Sequence, residues 1–211
     1  MIHGVYLVLD PDQTAGRSAP EVAAAALLGG VRAVQWRQKG GSIAARWPSI
    51  LAVRDLCREA SGGPIPFLIN DHVDVALAVD ADGAHVGQDD LPAAVARQLL
   101  PGRIVGVSAG SMAEVKAAER AGADYLGVGP IFATASKADA GSALGLDFLR
   151  EVRKATELPL VAIGGITAEN AASVQAAGAD SIAVISAICG APDVETATRS
   201  LVEQVEGAVI R

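Results

Sequence analysis

Three polar residues follow a short apolar run early in the chain and could bind a polyanion. Gln35, Arg37 and Lys39 alternate along the end of an expected extended segment, so their side chains project to one side. Donors on one side suit a phosphorylated ligand, and an arginine can bind phosphate oxygens through two parallel hydrogen bonds. The alternative is that the two cations are solvated or paired with acidic residues nearby.

Acidic side chains follow two later apolar runs and could bind a metal ion. Asp71 follows the first run, and Asp89 and Asp90 follow the second. Mg²⁺ typically takes one or two carboxylates and completes its shell with water and substrate phosphates. We therefore expect Asp71 to share Mg²⁺ with Asp89 or Asp90, although Asp90 could instead cap the next helix. His72 and His85 lack a partner at ligand spacing, so zinc is not expected.

A pair of glycines ends an apolar run late in the chain, and a similar run recurs further on. Residues 161–166 read Val-Ala-Ile-Gly-Gly-Ile, and residues 182–187 read Ile-Ala-Val-Ile-Ser-Ala. Because Gly164 and Gly165 have no Cβ, the backbone there can bring N–H groups close to an anion. In a (β/α)₈ barrel the loops after strands seven and eight commonly bind phosphate. The ligand is therefore expected to carry a phosphate.

Short apolar runs alternate with helical patterns along the whole chain, which is typical of βα units around a parallel sheet. Strands are predicted near residues 4–9, 32–36, 66–70, 83–86, 104–107, 124–128, 159–163 and 181–185. Eight strands is the number that closes a barrel of this kind. The sequence therefore predicts an α/β fold, a (β/α)₈ TIM barrel, with a single domain over residues 1–211.

Helix boundaries are indicated by capping residues and prolines. Ser18 and Glu21 have the capping-box spacing at the start of a helix. Pro48 interrupts a helical pattern over residues 43–57, so that helix either begins beside the proline or is kinked there. Residues 194–210 are amphipathic and are predicted to pack as a helix on the outside of the barrel.

One connection, residues 130–145, has neither helical nor strand periodicity. A loop of this length inside a compact domain is usually functional or disordered. It follows the predicted sixth strand, on the same rim of the barrel as the paired glycines. We interpret it as a mobile lid over the ligand, and the alternative is a floppy insertion.

Composition narrows the classes of function. The 211 residues are 51% hydrophobic, which is ample for a packed core. The 24 acidic residues outnumber the 17 basic ones, which argues against nucleic acid as a partner. No run reaches the roughly 18 apolar residues of a membrane span, so no membrane partner is expected either. Cys57 and Cys189 are expected to be buried reduced thiols in a cytoplasmic protein, and the oligomeric state is left open.

Further polar residues at the predicted strand ends favour a reaction between two phosphorylated small molecules. They are Asn70, Gln88, Ser108, Thr134, Ser136, Lys137 and Ser186. A metal ion with a cationic cluster, together with a separate phosphate turn, suggests that one of the two molecules is a pyrophosphate. The sequence contains no Ser–His–Asp arrangement. A leaving group that departs by ionisation, stabilised by Mg²⁺ and cations, needs no strong base.

Seven short motifs occur in order along the chain. They are Gln35-Trp36-Arg37-Gln38-Lys39, Leu68-Ile69-Asn70-Asp71, His85-Val86-Gly87-Gln88-Asp89-Asp90-Leu91, Gly106-Val107-Ser108, Gly127-Val128-Gly129-Pro130-Ile131-Phe132, Ala162-Ile163-Gly164-Gly165-Ile166 and Val184-Ile185-Ser186-Ala187-Ile188. Each motif is weak alone, but all of them in order at barrel spacing are specific. On these motifs the chain resembles the thiamine phosphate synthase (thiamine-phosphate pyrophosphorylase) family over essentially its whole length.

The resemblance implies a transferase of thiamine biosynthesis. It would join 4-amino-2-methyl-5-hydroxymethylpyrimidine diphosphate to a thiazole phosphate or its carboxylated form, giving thiamine phosphate and pyrophosphate. In the family, departure of pyrophosphate generates a stabilised pyrimidine methyl cation, which the thiazole nitrogen captures. Which thiazole form is preferred is left open.

The resemblance also implies roles for individual residues. Asp71 and Asp90 would hold Mg²⁺, with Asp89 close by but not a direct ligand. The residues expected to bind the pyrimidine diphosphate are Gln35, Trp36, Arg37, Gln38, Lys39, Asn70, Ser108 and Lys137. The catalytic residues among them are expected to be Arg37, Lys39, Ser108 and Lys137. The residues expected to bind the thiazole phosphate are Thr134, Ala135, Ser136, Gly165, Ile185 and Ser186.

The chain departs from the family pattern at three places. Ser136 stands where the family's lid commonly has threonine, but it keeps the hydroxyl that a phosphate needs. Trp36 replaces a residue that is more often smaller. Ala109 and Gly110 follow Ser108 where the family often has polar residues or histidine, which argues against an acid–base role for the fifth loop.

Three other functions fit the same fold. A thiazole tautomerase relative would aromatise the thiazole phosphate and would not need the carboxylates and cations together. An unrelated phosphate-binding isomerase would use Gly164 and Gly165 but leave Asp71 and Asp90 without a role. A degenerate barrel that only binds thiazole phosphate would have lost its metal ligands, and none is lost in this sequence.

Overall fold

Eight short strands form the centre of the molecule. The structure, a computed structural model, describes residues 2–134, 136 and 141–209. The strands are β1 (Gly4–Leu9), β2 (Ala33–Trp36), β3 (Phe67–Asn70), β4 (Gly83–Val86), β5 (Ile104–Ala109), β6 (Tyr125–Val128), β7 (Leu160–Ile163) and β8 (Ser181–Val184). Each lies within two residues of its predicted bounds, so the eight strand predictions are confirmed.

The strands pair in parallel and in chain order, and β8 returns to pair with β1, which closes the barrel. At the closure Gly4 lies opposite Ser181, and on its other edge β1 places Tyr6 opposite Ala33. Parallel neighbours require a long crossover, which a helix normally supplies. The predicted (β/α)₈ TIM barrel is confirmed.

Helices follow the strands and cover the outside of the barrel. The part of the chain that the structure describes contains α1 (Ala19–Gly29), α2 (Ile43–Arg58), α3 (Val73–Ala78), α4 (Ala93–Leu99), α5 (Met112–Arg120), α6 (Gly145–Ala155), α7 (Ala171–Ala176), α8 (Ser186–Cys189) and α9 (Val194–Val209). The short α8 and the long α9 both follow β8. The predicted last helix, residues 194–210, is confirmed over Val194–Val209, and residue 210 lies outside the described residues.

Two hydrophobic clusters hold the fold together. The larger lies between the sheet and the helices and includes Leu7, Trp36 and Ile50, each almost fully buried. The smaller fills the inside of the barrel and includes Tyr6 and Tyr125, each 1% exposed. Because side chains alternate across a strand, one strand can contribute to both clusters, as β1 does with Leu7 in the larger and Tyr6 in the smaller. Burial of apolar area on both faces stabilises a parallel sheet.

The predicted helix caps are mostly observed. Ser18 and Glu21 form the full capping box at the start of α1, each side chain bonding the other's backbone N–H. The helix around Pro48 begins earlier than one alternative predicted, at Ile43, and its N-cap Ser42 accepts from the backbone of Ala45. That alternative is wrong because the serine cap satisfies the first turn ahead of the proline, and α2 then continues through it.

The two cysteines are buried and form no disulfide. Desolvation by burial raises the pKa of Cys57 to about 12 and that of Cys189 to about 11. Both thiols therefore stay protonated and unreactive near neutral pH. Among the described residues, no helix is both long and apolar enough to cross a membrane.

The long connection after β6 is anchored at both ends. Ile131 donates its backbone N–H to Ile163, and Gly145 donates to Ile131. The side chain of Ile131 is fully buried. The middle of the connection, at residue 135 and residues 137–140, lies outside the described residues, so a mobile lid over residues 130–145 stays a prediction.

Candidate active site

A cavity of about 440 Å³ lies at the carboxyl ends of the strands. Its lining comes from the segments that follow β2 through β8, the rim on which TIM-barrel enzymes carry their active sites. The volume is within the range of pockets that enclose small-molecule ligands. The cavity is therefore the candidate active site.

Most of the predicted site residues meet in this cavity. Those that line it are Arg37, Lys39, Asn70, Asp71, Asp90, Ser108, Thr134, Ser136, Gly165, Ile185 and Ser186. Two further predicted residues, Ala135 and Lys137, lie outside the described residues.

Three residues of the predicted β2 motif lie elsewhere. Trp36 is 1% exposed and belongs to the outer core, because alternation along β2 turns it away from the barrel interior. Gln38 is buried and donates to the carbonyl of Gly40 at 2.8 Å. Gln35 lines a separate cavity of about 20 Å³ inside the barrel, which has room for about one water molecule. The structure does not bring Gln35, Trp36 or Gln38 to the lining of the main cavity.

Arg37 is held by an acid that sequence reasoning missed. Its Nη1 lies 2.8 Å from Oδ2 of Asp10, which directly follows β1, and the two side chains are only 5% and 7% exposed. The same carboxylate oxygen accepts from Nε2 of Gln13 at 2.8 Å. The alternative that Arg37 is paired with an acid is thus correct, but the pair is buried rather than solvated. Asp10 fixes the guanidinium at the edge of the cavity.

Lys39 and the two predicted metal ligands form a second charged group. Nζ of Lys39 lies 2.8 Å from Oδ2 of Asp71. Burial, reinforced by the neighbouring Asp90 carboxyl, raises the pKa of Asp71 although Lys39 opposes the shift. Burial also acts on Asp90, but its hydrogen bonds with Asp71 and the Gly87 N–H leave its pKa below the ordinary value. The two carboxyls are therefore close enough to share a proton, or a cation in its place.

The backbone and hydrogen bonds around these two acids shape the site and do not cap the helix that follows. Asp71 has φ 63°, a left-handed conformation that aspartate tolerates better than most residues. Oδ2 of Asp90 accepts from the backbone N–H of Gly87 at 2.7 Å. The following helix, α4, begins at Ala93 with Pro92 at the N-cap position. The alternative that Asp90 is a helix N-cap is wrong, because its carboxylate closes the loop after β4 instead.

Unpaired donors lie next to the charged group. Among the described residues, Nε of Arg37 and Nδ2 of Asn70 are buried without a hydrogen-bond partner. Both residues line the cavity, and both groups can only donate. Buried polar groups are normally satisfied, so an unpaired donor at a cavity indicates a ligand that accepts from it. Phosphate oxygens would be suitable acceptors.

The paired glycines form a tight turn on the far side of the cavity. Gly164 has φ 102° and Gly165 has φ 63°. A Cβ on Gly164 would lie 2.6 Å from Cα of Pro130, and one on Gly165 would lie 2.6 Å from the carbonyl oxygen of Ala133. Glycine is therefore required at both positions for conformation and for space. Both glycines line the cavity, so a ligand there can contact the turn.

The loop after β6 reaches the loop after β8. Oγ of Ser136 lies 3.1 Å from Oγ of Ser186, and the backbone N–H of Ser136 donates to Oγ1 of Thr134. Nε2 of Gln13 also donates to the carbonyl of Ser136 at 3.1 Å. Ser186 begins α8, where the first backbone N–H groups have no partner within the helix. Hydroxyls and free N–H groups therefore converge beside the glycine turn.

A chain of buried hydrogen bonds crosses the barrel beneath the cavity. Nε2 of Gln35 lies 2.9 Å from Oη of Tyr6, which lies 3.0 Å from Oη of Tyr125. Oη of Tyr125 lies 2.9 Å from Nδ1 of His85, whose Nε2 lies 2.9 Å from Oγ of Ser108. His85 and Ser108 both line the main cavity. The chain thus connects the barrel interior to a predicted site residue.

Comparisons with known proteins agree with this geometry. A family model described as thiamine monophosphate synthase matches residues 5–188. The chain belongs to this family. A thiamine-phosphate synthase of Chloroflexus aurantiacus is 52% identical over 197 residues, which cover 93% of this chain and 90% of that protein. One of Moorella thermoacetica is also 52% identical, over 97% of this chain and 96% of that protein.

Solved structures support the same assignment. The thiamine phosphate pyrophosphorylase of Pyrococcus furiosus superposes with a TM-score of 0.89 at 40% identity, covering 98% of this chain and 96% of that one. A 3-hexulose-6-phosphate synthase superposes with a TM-score of 0.66 at 17% identity, which shows a shared fold alone. As a member of the thiamine monophosphate synthase family, the chain is a transferase of thiamine biosynthesis.

The residues that sequence reasoning missed carried weak signals. Asp10 ends the first apolar run just as Asn70 ends the third, so it belonged among the strand-end candidates. The sequence pattern does not distinguish Tyr6 and Tyr125 from other core residues, and only the barrel register shows that they face inward. The sequence pattern gives His85 no partner at zinc-ligand spacing, whereas the structure places its side chain against Tyr125 and Ser108.

Proposed function

We propose that this transferase couples a pyrimidine methyl diphosphate to a thiazole phosphate in an Mg²⁺-dependent reaction that yields thiamine phosphate and pyrophosphate. The observation that carries the proposal is the layout of the cavity of about 440 Å³ at the carboxyl ends of the strands. The acid pair Asp71 and Asp90 with the cations Arg37 and Lys39 lies on one side, and the Gly164–Gly165 turn lies on the other. Such a cavity has room for a charged diphosphate donor and a phosphorylated acceptor together.

The acid pair is suited to Mg²⁺. Asp71 and Asp90 offer hard oxygen ligands, and Mg²⁺ commonly uses one or two carboxylates with substrate phosphates and water. The raised pKa of Asp71, caused by burial and by Asp90, indicates a site that favours neutralisation of these charges. Lys39 now supplies part of that neutralisation. When bound, Mg²⁺ would neutralise charge on the diphosphate and so make it a better leaving group.

The donor side is supported by cations that are already oriented. Arg37 is held by Asp10, so its free Nε can face a diphosphate oxygen without a large loss of side-chain entropy. Asn70 offers a second unpaired donor. In the proposed reaction the C–O bond to the diphosphate breaks, and the electron pair leaves with the pyrophosphate. Fixed cations stabilise the negative charge that develops there.

The acceptor side is supported by the small residues and hydroxyls around the glycine turn. Gly165 leaves the backbone accessible, and Ser136 and Ser186 present hydroxyls within 3.1 Å of each other. This arrangement would hold the thiazole phosphate so that its ring nitrogen faces the pyrimidine carbon. A new N–C bond then forms as the nitrogen lone pair captures the cation. Bringing the two substrates together in one cavity supplies much of the rate.

A coupling assay tests the proposal directly. The protein is incubated with both substrates and Mg²⁺, and thiamine phosphate is measured by chromatography. We expect product with the wild type, and at least a 100-fold loss, about 3 kcal/mol of transition-state stabilisation, in Asp71→Ala and in Asp90→Ala. Asp74→Ala is the matched control, since Asp74 is three residues from Asp71, its side chain is 85% exposed and it does not line the cavity, and it should keep most of the activity.

Two outcomes would contradict the proposal. Near-normal coupling by both metal-ligand variants at limiting Mg²⁺ would remove the metal assignment. A wild-type protein that changes only the thiazole tautomer, with no coupling, would favour the tautomerase alternative. Circular dichroism of each variant shows whether a loss of activity is a loss of folding.

A cytoplasmic location, also expected from the sequence, stays a prediction.

A further inference from the structure

The buried chain that ends at Ser108 has partners at every position. Tyr6, Tyr125 and Gln35 are 1%, 1% and 5% exposed, and His85 is 8% exposed. Four consecutive contacts of 2.9–3.0 Å join Gln35, Tyr6, Tyr125, His85 and Ser108. These residues come from five different strands, β2, β1, β6, β4 and β5. A chain of this length in a barrel interior is strongly constrained in geometry.

Two glycines make room for the rings of this chain. A Cβ on Gly106 would lie 2.1 Å from Cζ of Tyr125, and a Cβ on Gly127 would lie 2.8 Å from Cε1 of His85. Any other residue at either position would push the ring away from its partner. Both glycines have ordinary negative φ, so their backbone conformation does not require them. They are explained by the space that Tyr125 and His85 occupy.

The direction of the hydrogen bonds follows from the chemistry of the members. Nε2 of Gln35 can only donate, so Oη of Tyr6 accepts. Burial raises the pKa of Tyr6 to about 12 and also raises the pKa of Tyr125, so both phenols keep their protons. Either phenol of the Tyr6–Tyr125 pair can be the donor, and a Tyr6 oxygen that already accepts from Gln35 favours Tyr6 as the donor. The Tyr125 proton then has Nδ1 of His85 as its acceptor at 2.9 Å. Nδ1 can accept only if the ring proton of a neutral imidazole is on Nε2.

We propose that the Gln35–Tyr6–Tyr125–His85 chain fixes His85 as the Nε2–H tautomer, which donates to Ser108 and turns the Ser108 hydroxyl into a hydrogen-bond donor toward the ligand in the cavity. His85 is then a positioning residue for Ser108. The acceptor would be a ring nitrogen or an oxygen of the pyrimidine diphosphate. The functional part of this inference rests on the proposed function, because it assumes that this substrate lies against Ser108.

The polarity has a consequence for the choice of ligand. Because its oxygen already accepts from His85, the Ser108 hydroxyl is left to donate its proton. It therefore binds best to a substrate atom that accepts a hydrogen bond. If the amide of Gln35 were turned so that its oxygen faced Tyr6, every bond in the chain would reverse. Ser108 would then donate to His85 and accept from the substrate. A single buried amide therefore sets which substrate atoms the far end of the chain favours.

Nuclear magnetic resonance of the imidazole nitrogens tests the tautomer without any substrate. The chain has three histidines, so ¹⁵N-histidine labelling gives few signals, and His3→Gln and His72→Gln assign the other two. We expect His85 to show a protonated Nε2 and an unprotonated Nδ1 at neutral pH. In Tyr125→Phe, which removes the donor to Nδ1, this preference should be lost. A proton on Nδ1, or on both nitrogens, in the wild type would overturn the inference.

Kinetics of paired variants test the action through Ser108. Ser108→Ala should raise KM for the pyrimidine diphosphate by about 10-fold, the value of one hydrogen bond. His85→Leu should cost nearly as much, and His85→Gln, whose amide can still donate, should recover part of the loss. In a Ser108→Ala background, His85→Leu should cost little more, since the two act as one unit. Additive losses would overturn the positioning role.

The two proposals can fail separately. If the wild type makes no thiamine phosphate, the proposed function fails, and the tautomer measurement can still be made. If coupling is normal but His85 carries its proton on Nδ1, only the polarity inference fails. Thermal unfolding of each variant shows whether a loss of activity comes from a misplaced side chain or from an unfolded protein. Ser108 is only partly buried, so Ser108→Ala should leave the melting temperature nearly unchanged.

Discussion

Asp10→Ala is the substitution whose cost can be worked out most directly from the structure. The charges of Asp10 and Arg37 lie 2.8 Å apart with side chains 5–7% exposed. At an effective dielectric constant of about 20, their gross attraction is about 6 kcal/mol. Desolvation of both groups offsets part of this, but alanine would leave the buried guanidinium unpaired. Losing one partner of a buried pair typically costs about 3–5 kcal/mol of unfolding free energy.

Urea unfolding followed by the fluorescence of buried Trp36 measures this cost. Asp12→Ala is a matched control in the same loop, because Asp12 pairs with Arg46 at 2.6 Å although the Asp12 side chain is 56% exposed and the Arg46 side chain 41% exposed. We expect the control to cost at most about 1 kcal/mol. Asp10→Asn, which keeps an acceptor for Arg37, should fall between the two. Equal and small losses in Asp10→Ala and Asp12→Ala would refute the buried-pair argument.

Two further predictions concern ligand binding and pH. Thiazole phosphate should raise the melting temperature, and unphosphorylated thiazole far less, because the turn at Gly164 and Gly165 is suited to the phosphate; equal shifts would contradict this. Asp80→Asn should lower the urea midpoint at pH 7, since hydrogen bonds from Arg58 and then Arg103 hold the pKa of Asp80 below its ordinary value. A carboxyl whose pKa is lowered by folding stabilises the fold above its unfolded pKa of about 4, and this stabilisation is lost as the pH falls through the lower folded-state pKa. The difference between the two proteins should therefore begin to shrink below about pH 4, and a difference that stays constant with pH would argue against the explanation.

The barrel could be predicted well from the sequence because each strand and helix has a recognisable pattern within its own few residues. Apolar runs such as residues 66–70 and 159–163 are short, bounded by turn residues, and separated by helical patterns. Capping was also predictable at Ser18, where the serine and Glu21 are only a few residues apart. The sequence allowed the helix around Pro48 either to begin beside the proline or to continue through it. The observed N-cap at Ser42 shows that the helix begins before the proline.

The site was predictable only where its residues are recognisable one at a time. Asp71 and Arg37 stand out because charged residues at strand ends are easily noticed. The partners of these residues come from distant parts of the chain, as Asp10 does for Arg37. The chain through Tyr6, Tyr125 and His85 depends on strand register around the closed barrel, which no local pattern reveals.

Closure of the barrel through β1 and β8 has a consequence for biosynthesis. β1 needs β8 as a neighbour, since Gly4 lies opposite Ser181 and Leu7 opposite Val184. At a synthesis rate of about 5–20 residues per second, β1 would wait roughly ten to thirty seconds for that neighbour. During this interval one edge of β1 is an open template for pairing with another chain. Nascent chains that stall before β8 are therefore the species most exposed to aggregation and most in need of a chaperone.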